Sequence, residues 1–277
     1  DGRALVANGN LATALVYDPV AATWTATGAM SVSRTQSQAV LLPSGRVLVT
    51  GGNNLASSEL YDPPSNTWSL TGAMAQTRVF HRLTVLNDGR VLVTGGNAAI
   101  AGALLSSAEL YDPAQGLWAA APAMSAGRQE HTQTLLQNGT VLVAGGQNLA
   151  TTEIYDPTTN TWAAGVSMTA ARTSHSATLL QNGSVFVASG GNFLKTTEYY
   201  SQGLGSPCVT NVQCPSGFCA DSVCCDAACN AGACDACSIA AGAPTNGTCA
   251  PVANGTACND GNACTLGDAC QAGVCTS

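Results

Sequence analysis

The residues of this sequence that are best suited to chemistry are its three histidines, because an imidazole can act as a general base or bind a metal near neutral pH. They are His81, His131 and His175. Each follows an arginine by three residues, and these arginines recur along the chain. A position that repeats in this way serves a repeated structural unit. We therefore expect a structural hydrogen-bonding role for the histidines, with catalysis or metal binding as the alternative.

Ligand-binding residues are expected where the repetition is broken. Arg82 and Glu130 occupy predicted first-strand positions at which other copies carry small polar residues, and one copy has six extra residues in the loop 97–107. Amide residues also follow the Gly-Gly pairs, where they either bind a polar ligand or cap a turn. The predicted ligand-binding residues are Arg82, Glu130, Asn97, Asn53, Gln147 and Asn192.

Motifs and composition exclude several other functions. The sequence has no Gly-x-Ser-x-Gly nucleophile elbow and no glycine-rich phosphate-binding motif. Its formal charge of −7 argues against nucleic acid as a partner, because phosphates are bound by basic patches. It has no run of 18 or more apolar residues, so no membrane span is expected. The sequence predicts no catalytic residue, no cofactor and no metal site.

The candidate residues are carried by a module that occurs four times. In each copy Tyr-Asp-Pro is followed by Trp seven residues after the Tyr, then by Met and Arg at fixed distances. The tyrosines are Tyr17, Tyr61, Tyr111 and Tyr155, so the period is 44, then 50, then 44 residues. Each period predicts four short strands, with hairpin turns at Asp-Gly or Asn-Gly and a Gly-Gly pair that ends the second strand. A recurring glutamate, such as Glu59, is expected to pair with the repeated arginine.

A four-stranded unit with Gly-Gly, Tyr and Trp at these spacings resembles the kelch repeat. The resemblance covers residues 1–200 and implies a β-propeller, in which four-stranded blades surround a channel. We count three whole blades and two partial ones, which favours a fragment of a secreted bacterial kelch-repeat protein. Kelch-type enzymes of the galactose oxidase family need copper and a Tyr–Cys crosslink. Because residues 1–207 contain no cysteine, that cofactor is not expected in the blades present.

The last 70 residues differ sharply in composition, since they hold all 13 cysteines and only eight Val, Ile, Leu or Phe. So few apolar residues cannot stabilise a fold alone, which predicts disulfides and an oxidising compartment. A zinc site around Cys234 and Cys237 is the alternative. The segment is similar to cysteine-rich modules related to Dickkopf and disintegrin-like domains. The predicted disulfide cysteines, of which one lacks a partner within the chain, are Cys208, Cys214, Cys219, Cys224, Cys225, Cys229, Cys234, Cys237, Cys249, Cys258, Cys264, Cys270 and Cys275.

The predicted fold class is all-β. A kelch-type propeller segment occupies residues 1–200, a linker residues 201–207, and a small, loop-rich disulfide module residues 208–277. The predicted function is that of a secreted or cell-surface protein whose propeller face binds a protein or glycan ligand. The alternative is a propeller oxidoreductase or hydrolase of galactose-oxidase-like architecture, with its catalytic residues in blades outside this chain.

Overall fold

A computed structural model describes residues 2–7, 9–98, 102–191 and 194–200, and six short segments beyond residue 218. Every regular secondary-structure element in these residues is a β-strand. The chain divides into two compact units. Residues 1–135, 139–177 and 188–196 form the first, and residues 136–138, 178–187 and 197–277 form the second. Among the described residues there is no helix that is long and apolar enough to cross a membrane.

Five antiparallel sheets follow one another along the chain. The first sheet has three strands, β1 (Ala4–Val6), β2 (Thr13–Asp18) and β3 (Thr23–Ala29). The second has four, β4 (Gln38–Leu41), β5 (Val47–Thr50), β6 (Ser58–Asp62) and β7 (Thr67–Thr71). The third contains β8 (Arg82–Val85), β9 (Val91–Thr94), β12 (Ala108–Asp112) and β13 (Leu117–Ala121), with an inserted hairpin of β10 (Asn97–Ala98) and β11 (Ala103–Leu104).

The remaining sheets repeat this order of strands. The fourth sheet has β14 (Thr132–Leu135), β15 (Val141–Ala144), β16 (Thr152–Asp156) and β17 (Thr161–Ala164). The last has β18 (Ser176–Leu179), β19 (Val185–Ala188) and β20 (Thr197–Tyr200). The three four-stranded sheets coincide with the three whole copies of the module, and the two three-stranded sheets coincide with the partial copies. The predicted strand order within each copy is therefore confirmed.

The described part of the cysteine-rich segment consists of three short strand pairs. They are β21 (Cys219–Ala220) with β22 (Val223–Cys224), β23 (Asp235–Ala236) with β24 (Ala250–Pro251), and β25 (Ala269–Gln271) with β26 (Val274–Thr276). Cys249, which directly precedes β24, is disulfide-bonded. The linker 201–207 and most of the predicted disulfide cysteines lie outside the described residues, so the disulfide framework stays a prediction.

The hydrophobic core of the first unit lies between neighbouring sheets. One cluster joins the second sheet to the third through Leu42, Leu48, Leu60, Val91 and Tyr111. Another joins the third sheet to the fourth through Leu86, Leu92, Ala108, Leu110, Val141 and Tyr155. Because each sheet contributes apolar side chains from both faces, its central strands are buried on both sides. This explains why the second strands read as continuous Val-Leu-Val runs.

The repeated aromatic residues fix the contact between one sheet and the next. Within each module the Tyr and Trp rings pack with centroids 5.0 to 5.1 Å apart. The Trp also reaches the preceding sheet, where Trp68 Nε1 donates to Thr27 Oγ1 at 3.1 Å and Trp118 Nε1 donates to Ser58 Oγ at 3.1 Å. The Tyr and Trp positions of the repeat therefore serve packing within and between the sheets.

The Gly-Gly pair marks the closest approach between neighbouring sheets. Gly51 and Gly52 have φ of +66° and +79°. A Cβ on Gly51 would lie 2.6 Å from the carbonyl oxygen of Arg78 and 2.7 Å from Cε1 of His81, both in the next module. Glycine is thus required both by backbone conformation and by the lack of space. In the last sheet Ser189, with φ of +65°, stands where the three whole modules have the first glycine.

Candidate functional site

In the three whole modules the repeated arginine forms a buried ion pair with the repeated glutamate of the same module. Arg34 and Glu59 lie 3.0 Å apart, and their side chains are 0% and 1% exposed. The pairs Arg78–Glu109 and Arg128–Glu153 have the same geometry, at 3.0 Å and 2.8 Å. Each of these arginines also donates to two backbone carbonyl groups, which satisfies most of its donors. The repeated arginines and glutamates therefore pair with each other inside the scaffold, as the sequence predicts.

The histidines lie buried where one module meets the one before it. His131 Nε2 is 2.8 Å from Thr94 Oγ1, and His175 Nε2 is 2.9 Å from Thr132 Oγ1, so these two have the expected hydrogen-bonding role. His81 differs, because its ring lies near the backbone of Thr50 and neither of its nitrogens forms a hydrogen bond of normal geometry. Its position is maintained by packing alone.

All three histidines are neutral at physiological pH. Burial, reinforced by the positive charges of Arg78 and Arg82, lowers the pKa of His81 from 6.5 to about 3. Burial and the neighbouring Arg172 lower the pKa of His175 to about 4. Burial and the charges of Arg82 and Arg128 also hold the pKa of His131 well below 6.5. A fully buried imidazole with such a pKa is poorly suited to general base catalysis in water.

A row of four residues, which we call the inner rim, links neighbouring sheets through the backbone. Its members are Gln36, Phe80, Glu130 and Ser174, which lie two residues after the repeated arginines and have φ of +59°, +57°, +54° and +51°. The N–H of Phe80 donates to the carbonyl of Gln36, that of Glu130 to Phe80, and that of Ser174 to Glu130. The side chains of this row are exposed or half-buried. The scaffold thus fixes the backbone of four positions whose side chains differ completely in chemistry.

The sequence predicts that Arg82 and Glu130 both lie in first strands, and the structure separates them. Arg82 is the first residue of strand β8, as expected. Glu130 precedes β14 by two residues and belongs to the inner rim, so its assignment to a first strand was wrong. The physical reason is its left-handed backbone conformation, which no β-strand accommodates. The negative charge of Glu130 acts on Arg82 without a direct ion pair, while Glu130 Oε2 accepts hydrogen bonds from Ser174 Oγ at 2.6 Å and Thr173 Oγ1 at 3.3 Å.

Three amide side chains form a continuous hydrogen-bonded row from the third sheet to the fourth. Asn97 Nδ2 donates to Gln129 Oε1 at 3.2 Å, and Gln129 Nε2 donates to Gln147 Oε1 at 2.8 Å. The backbone N–H of Gln147 reaches Thr173 Oγ1 at 3.3 Å, and this hydroxyl donates to Glu130. Two of the predicted amides, Asn97 and Gln147, are therefore connected with Glu130. We call Asn97, Gln129, Glu130 and Gln147 together the seam site.

The inserted segment of the third sheet is a docked hairpin, where the sequence predicts a loop. Its first residue, Asn97, forms an antiparallel bridge with Val79. Its second strand ends at Leu104, which packs against Gly127 so closely that a Cβ there would lie 2.8 Å from the Cβ of Leu104. Other modules have Ser33, Thr77 or Ala171 in place of Gly127. The glycine therefore makes room for the hairpin, and the hairpin holds Asn97 beside Gln129.

Asn53, another of the predicted amides, does not join the seam site. Asn53 lies in a turn with φ of +46°, where its Nδ2 donates to the carbonyl oxygen of Ser33 at 3.0 Å and its Oδ1 accepts from the Thr35 hydroxyl. It caps a turn, which was the structural alternative. Asn192 lies outside the described residues. Within the part of the chain that the structure describes, no three His, Cys, Asp or Glu residues are grouped as a metal site would need.

Similarity to known proteins assigns the fold of the chain. Residues 135–169 match the family model of the Kelch motif. The chain is similar to the solved structure of YjhT, with 17% sequence identity and a TM-score of 0.57, over 68% of this chain and 69% of that one. The fold is therefore that of a kelch-type β-propeller, with three whole blades and two partial ones in this chain.

Other comparisons add little to this assignment. The chain is similar to a solved structure of a novel fungal alcohol oxidase of the AA5 family in complex with copper, with 18% identity and a TM-score of 0.47, over 70% of this chain and 58% of that one. No curated protein matches the chain significantly. The kelch-type fold is established by the repeat, its sheets and the match to the Kelch motif.

Sequence reasoning missed three residues: Gln129 of the seam site, Phe80 of the inner rim, and Gly127, which makes room for the inserted hairpin. Gln129 follows a repeated arginine, and nothing in its neighbourhood indicates that it lies between two amides of different blades. Phe80 and Gly127 could have been recognised, because each differs from the equivalent residues of the other modules. A comparison of all modules, position by position, would have found both.

Proposed function

We propose that this protein is an extracellular or cell-surface binding protein, whose kelch-type propeller presents the seam site to a carbohydrate or protein ligand. The observation that carries the proposal is the connection of Asn97, Gln129, Gln147 and Glu130 by hydrogen bonds across two blades. Gln129 and Glu130 differ in residue type from the equivalent residues of the other modules, and Asn97 begins the inserted segment. Among the described residues, the other blades lack such a row. The repeated scaffold therefore forms without it.

The arrangement suits recognition of a polar ligand. Its side chains are exposed or half-buried and offer amide donors, amide acceptors and a carboxylate. Their hydrogen bonds to one another restrict their rotamers before any ligand arrives, which lowers the entropic cost of binding. A few well-placed polar groups of this kind fix the orientation of the ligand in small-molecule sites.

The cysteine-rich segment supports an extracellular location. Thirteen cysteines in 70 residues are typical of small disulfide-rich modules of secreted proteins, and Cys249 is disulfide-bonded. These bonds persist in oxidising compartments and are reduced in the cytosol. The proposal therefore combines a rigid propeller surface with a covalently stabilised module.

Parallel glycan and peptide arrays test this function with the full chain. The wild-type protein should bind a defined set of array ligands, and the triple variant Asn97→Ala, Glu130→Gln, Gln147→Ala should lose them. Asn53→Ala is the matched control, since Asn53 is an amide at an equivalent position whose hydrogen bonds stay within its own blade. It should bind like the wild type. Binding that survives the triple variant contradicts the seam site, and turnover of a bound ligand favours the alternative of a propeller enzyme.

A further inference from the structure

A groove lies between the first sheet and the second, next to an edge strand. Among the described residues, β1 pairs with β2 and with no other strand. Ala4 lies opposite Tyr17 as Val47 lies opposite Tyr61, so β1 is the counterpart of β5. In the second sheet β4 pairs with the other edge of β5. The first sheet therefore presents unpaired backbone groups at the edge that a first strand covers in the whole modules.

The groove is mainly apolar and has a volume of about 740 Å³. Leu5 and Val16 line it from the first sheet, and Val47 and Tyr61 line it from the second. The counterparts of these four residues in the cluster between the second and third sheets are Leu48, Leu60, Val91 and Tyr111. The lining is therefore a repeat of that cluster.

The cluster between the second and third sheets has a fifth member, for which the groove has no counterpart. This member is Leu42, which directly follows the first strand β4 and is 2% exposed. Leu86 has the same place after β8 in the cluster between the third and fourth sheets, and it is 3% exposed. At both junctions the leucine after a first strand fills the space between the sheets. The groove is the same space without that leucine.

Side chains around the groove are less buried than their counterparts. Val47 is half-buried, whereas Val91 and Val141 are 0% exposed. Leu41 also lines the groove and is 65% exposed. Removing apolar surface of this kind from water is favourable, so an apolar segment that covers it gains free energy.

We propose that the groove is an acceptor site for an extended strand of a partner polypeptide. The strand pairs antiparallel with β1, as β4 pairs with β5, and places a leucine in the apolar space. When a strand adds to a sheet edge, backbone hydrogen bonds supply affinity and side-chain pockets supply specificity. A small apolar molecule would use the space alone, whereas a strand uses both the space and the edge. The seam site takes no part, so this inference does not rest on the proposed function.

Two synthetic peptides test the acceptor site with the full chain. The first has the sequence of residues 37–44 and blocked ends, and the second is the same peptide with Leu42→Ser. Isothermal titration should find one bound peptide per chain. The serine peptide should bind roughly 10- to 100-fold more weakly, because it buries no leucine side chain. The bound leucine peptide should also slow hydrogen exchange of the β1 amides, which edge pairing protects.

Two protein variants with matched exposure locate the binding. Leu41→Asp places a charge in the groove and should weaken binding of the leucine peptide by at least about 10-fold, since the charge would lose water when the peptide binds. Leu70→Asp is the control, because Leu70 is 66% exposed on β7 and lies outside the groove. It should bind the peptide like the wild type.

Every other outcome contradicts the inference. Equal binding of the two peptides, or binding of neither, rejects the leucine-shaped space. Binding without protection of β1 rejects strand pairing. An apolar dye such as 8-anilinonaphthalene-1-sulfonate that binds the groove and is not displaced by the peptide assigns it to a small ligand. A dimer that Leu41→Asp dissociates assigns it to a second copy of the chain. The comparison of the two peptides needs no protein variant, so it stands even if Leu41→Asp folds poorly.

Discussion

The buried ion pair of each whole module makes a strong prediction about stability, which Glu153→Gln tests. Glu153 is 4% exposed and accepts hydrogen bonds at both carboxylate oxygens. Oε1 accepts from Arg128 Nη2 at 2.8 Å, and Oε2 accepts from the backbone N–H of Ser125 at 2.7 Å. Glutamine has one acceptor oxygen, so its amide group must turn a donor toward one of these two donors. The variant also leaves the Arg128 guanidinium buried without its counter-charge.

The expected cost follows from that geometry. Removing one partner of a buried ion pair destabilises a protein by about 3–5 kcal/mol, because an uncompensated charge remains inside. A domain of this kind is stable by about 5–15 kcal/mol, so the variant loses a large fraction of its stability. With a urea dependence of about 2 kcal/mol per M, the midpoint of unfolding should fall by roughly 2 M.

Tryptophan fluorescence in a urea titration measures this loss. All four tryptophans, Trp24, Trp68, Trp118 and Trp162, lie in the first compact unit, so the signal is independent of the cysteine-rich segment. The control is Asp88→Asn, which breaks the exposed pair with Arg90 and should cost about 0–1 kcal/mol. If Glu153→Gln shifts the midpoint no more than this control, the reasoning about buried charge in the repeat is refuted.

Four further predictions use the same protein and simple assays. Trp68→Ala should destabilise the fold by about 3 kcal/mol, because it removes a ring and a hydrogen bond between two blades, and urea unfolding measures it. Gly51→Ala should cost about 2 kcal/mol more than Gly45→Ala, since both have positive φ but a Cβ on Gly45 meets no atom within 4 Å. Stability should fall as the pH drops from about 6.5 toward 3, because the folded protein keeps its buried histidines neutral while the unfolded chain protonates them, and His175→Gln should flatten this slope in urea titrations. Mass analysis with and without reductant should find about six disulfides within residues 208–275, and free thiols that release zinc would contradict this.

The sequence alone determined the blade, because each blade is built from local patterns. Asp-Gly and Asn-Gly turns define hairpins of neighbouring strands, and the continuous Val-Leu-Val runs indicate strands that are buried on both faces. The pairing of Arg34 with Glu59 was predictable, since both recur in every whole module and a buried charge needs a partner. The same holds for Tyr61 and Trp68, whose spacing places them opposite each other on adjacent strands.

Only the tertiary structure decided which irregular residues act together. Gln129 lies between Asn97 and Gln147, which are 32 and 18 residues away in the chain. Asn53 has the same residue type and module position as Asn97, yet it bonds only within its own blade. The difference arises because contacts across blades depend on how two sheets stack and twist, and on the hairpin that Gly127 allows to dock. Those distances are set by packing between residues far apart in sequence, so no local pattern encodes them.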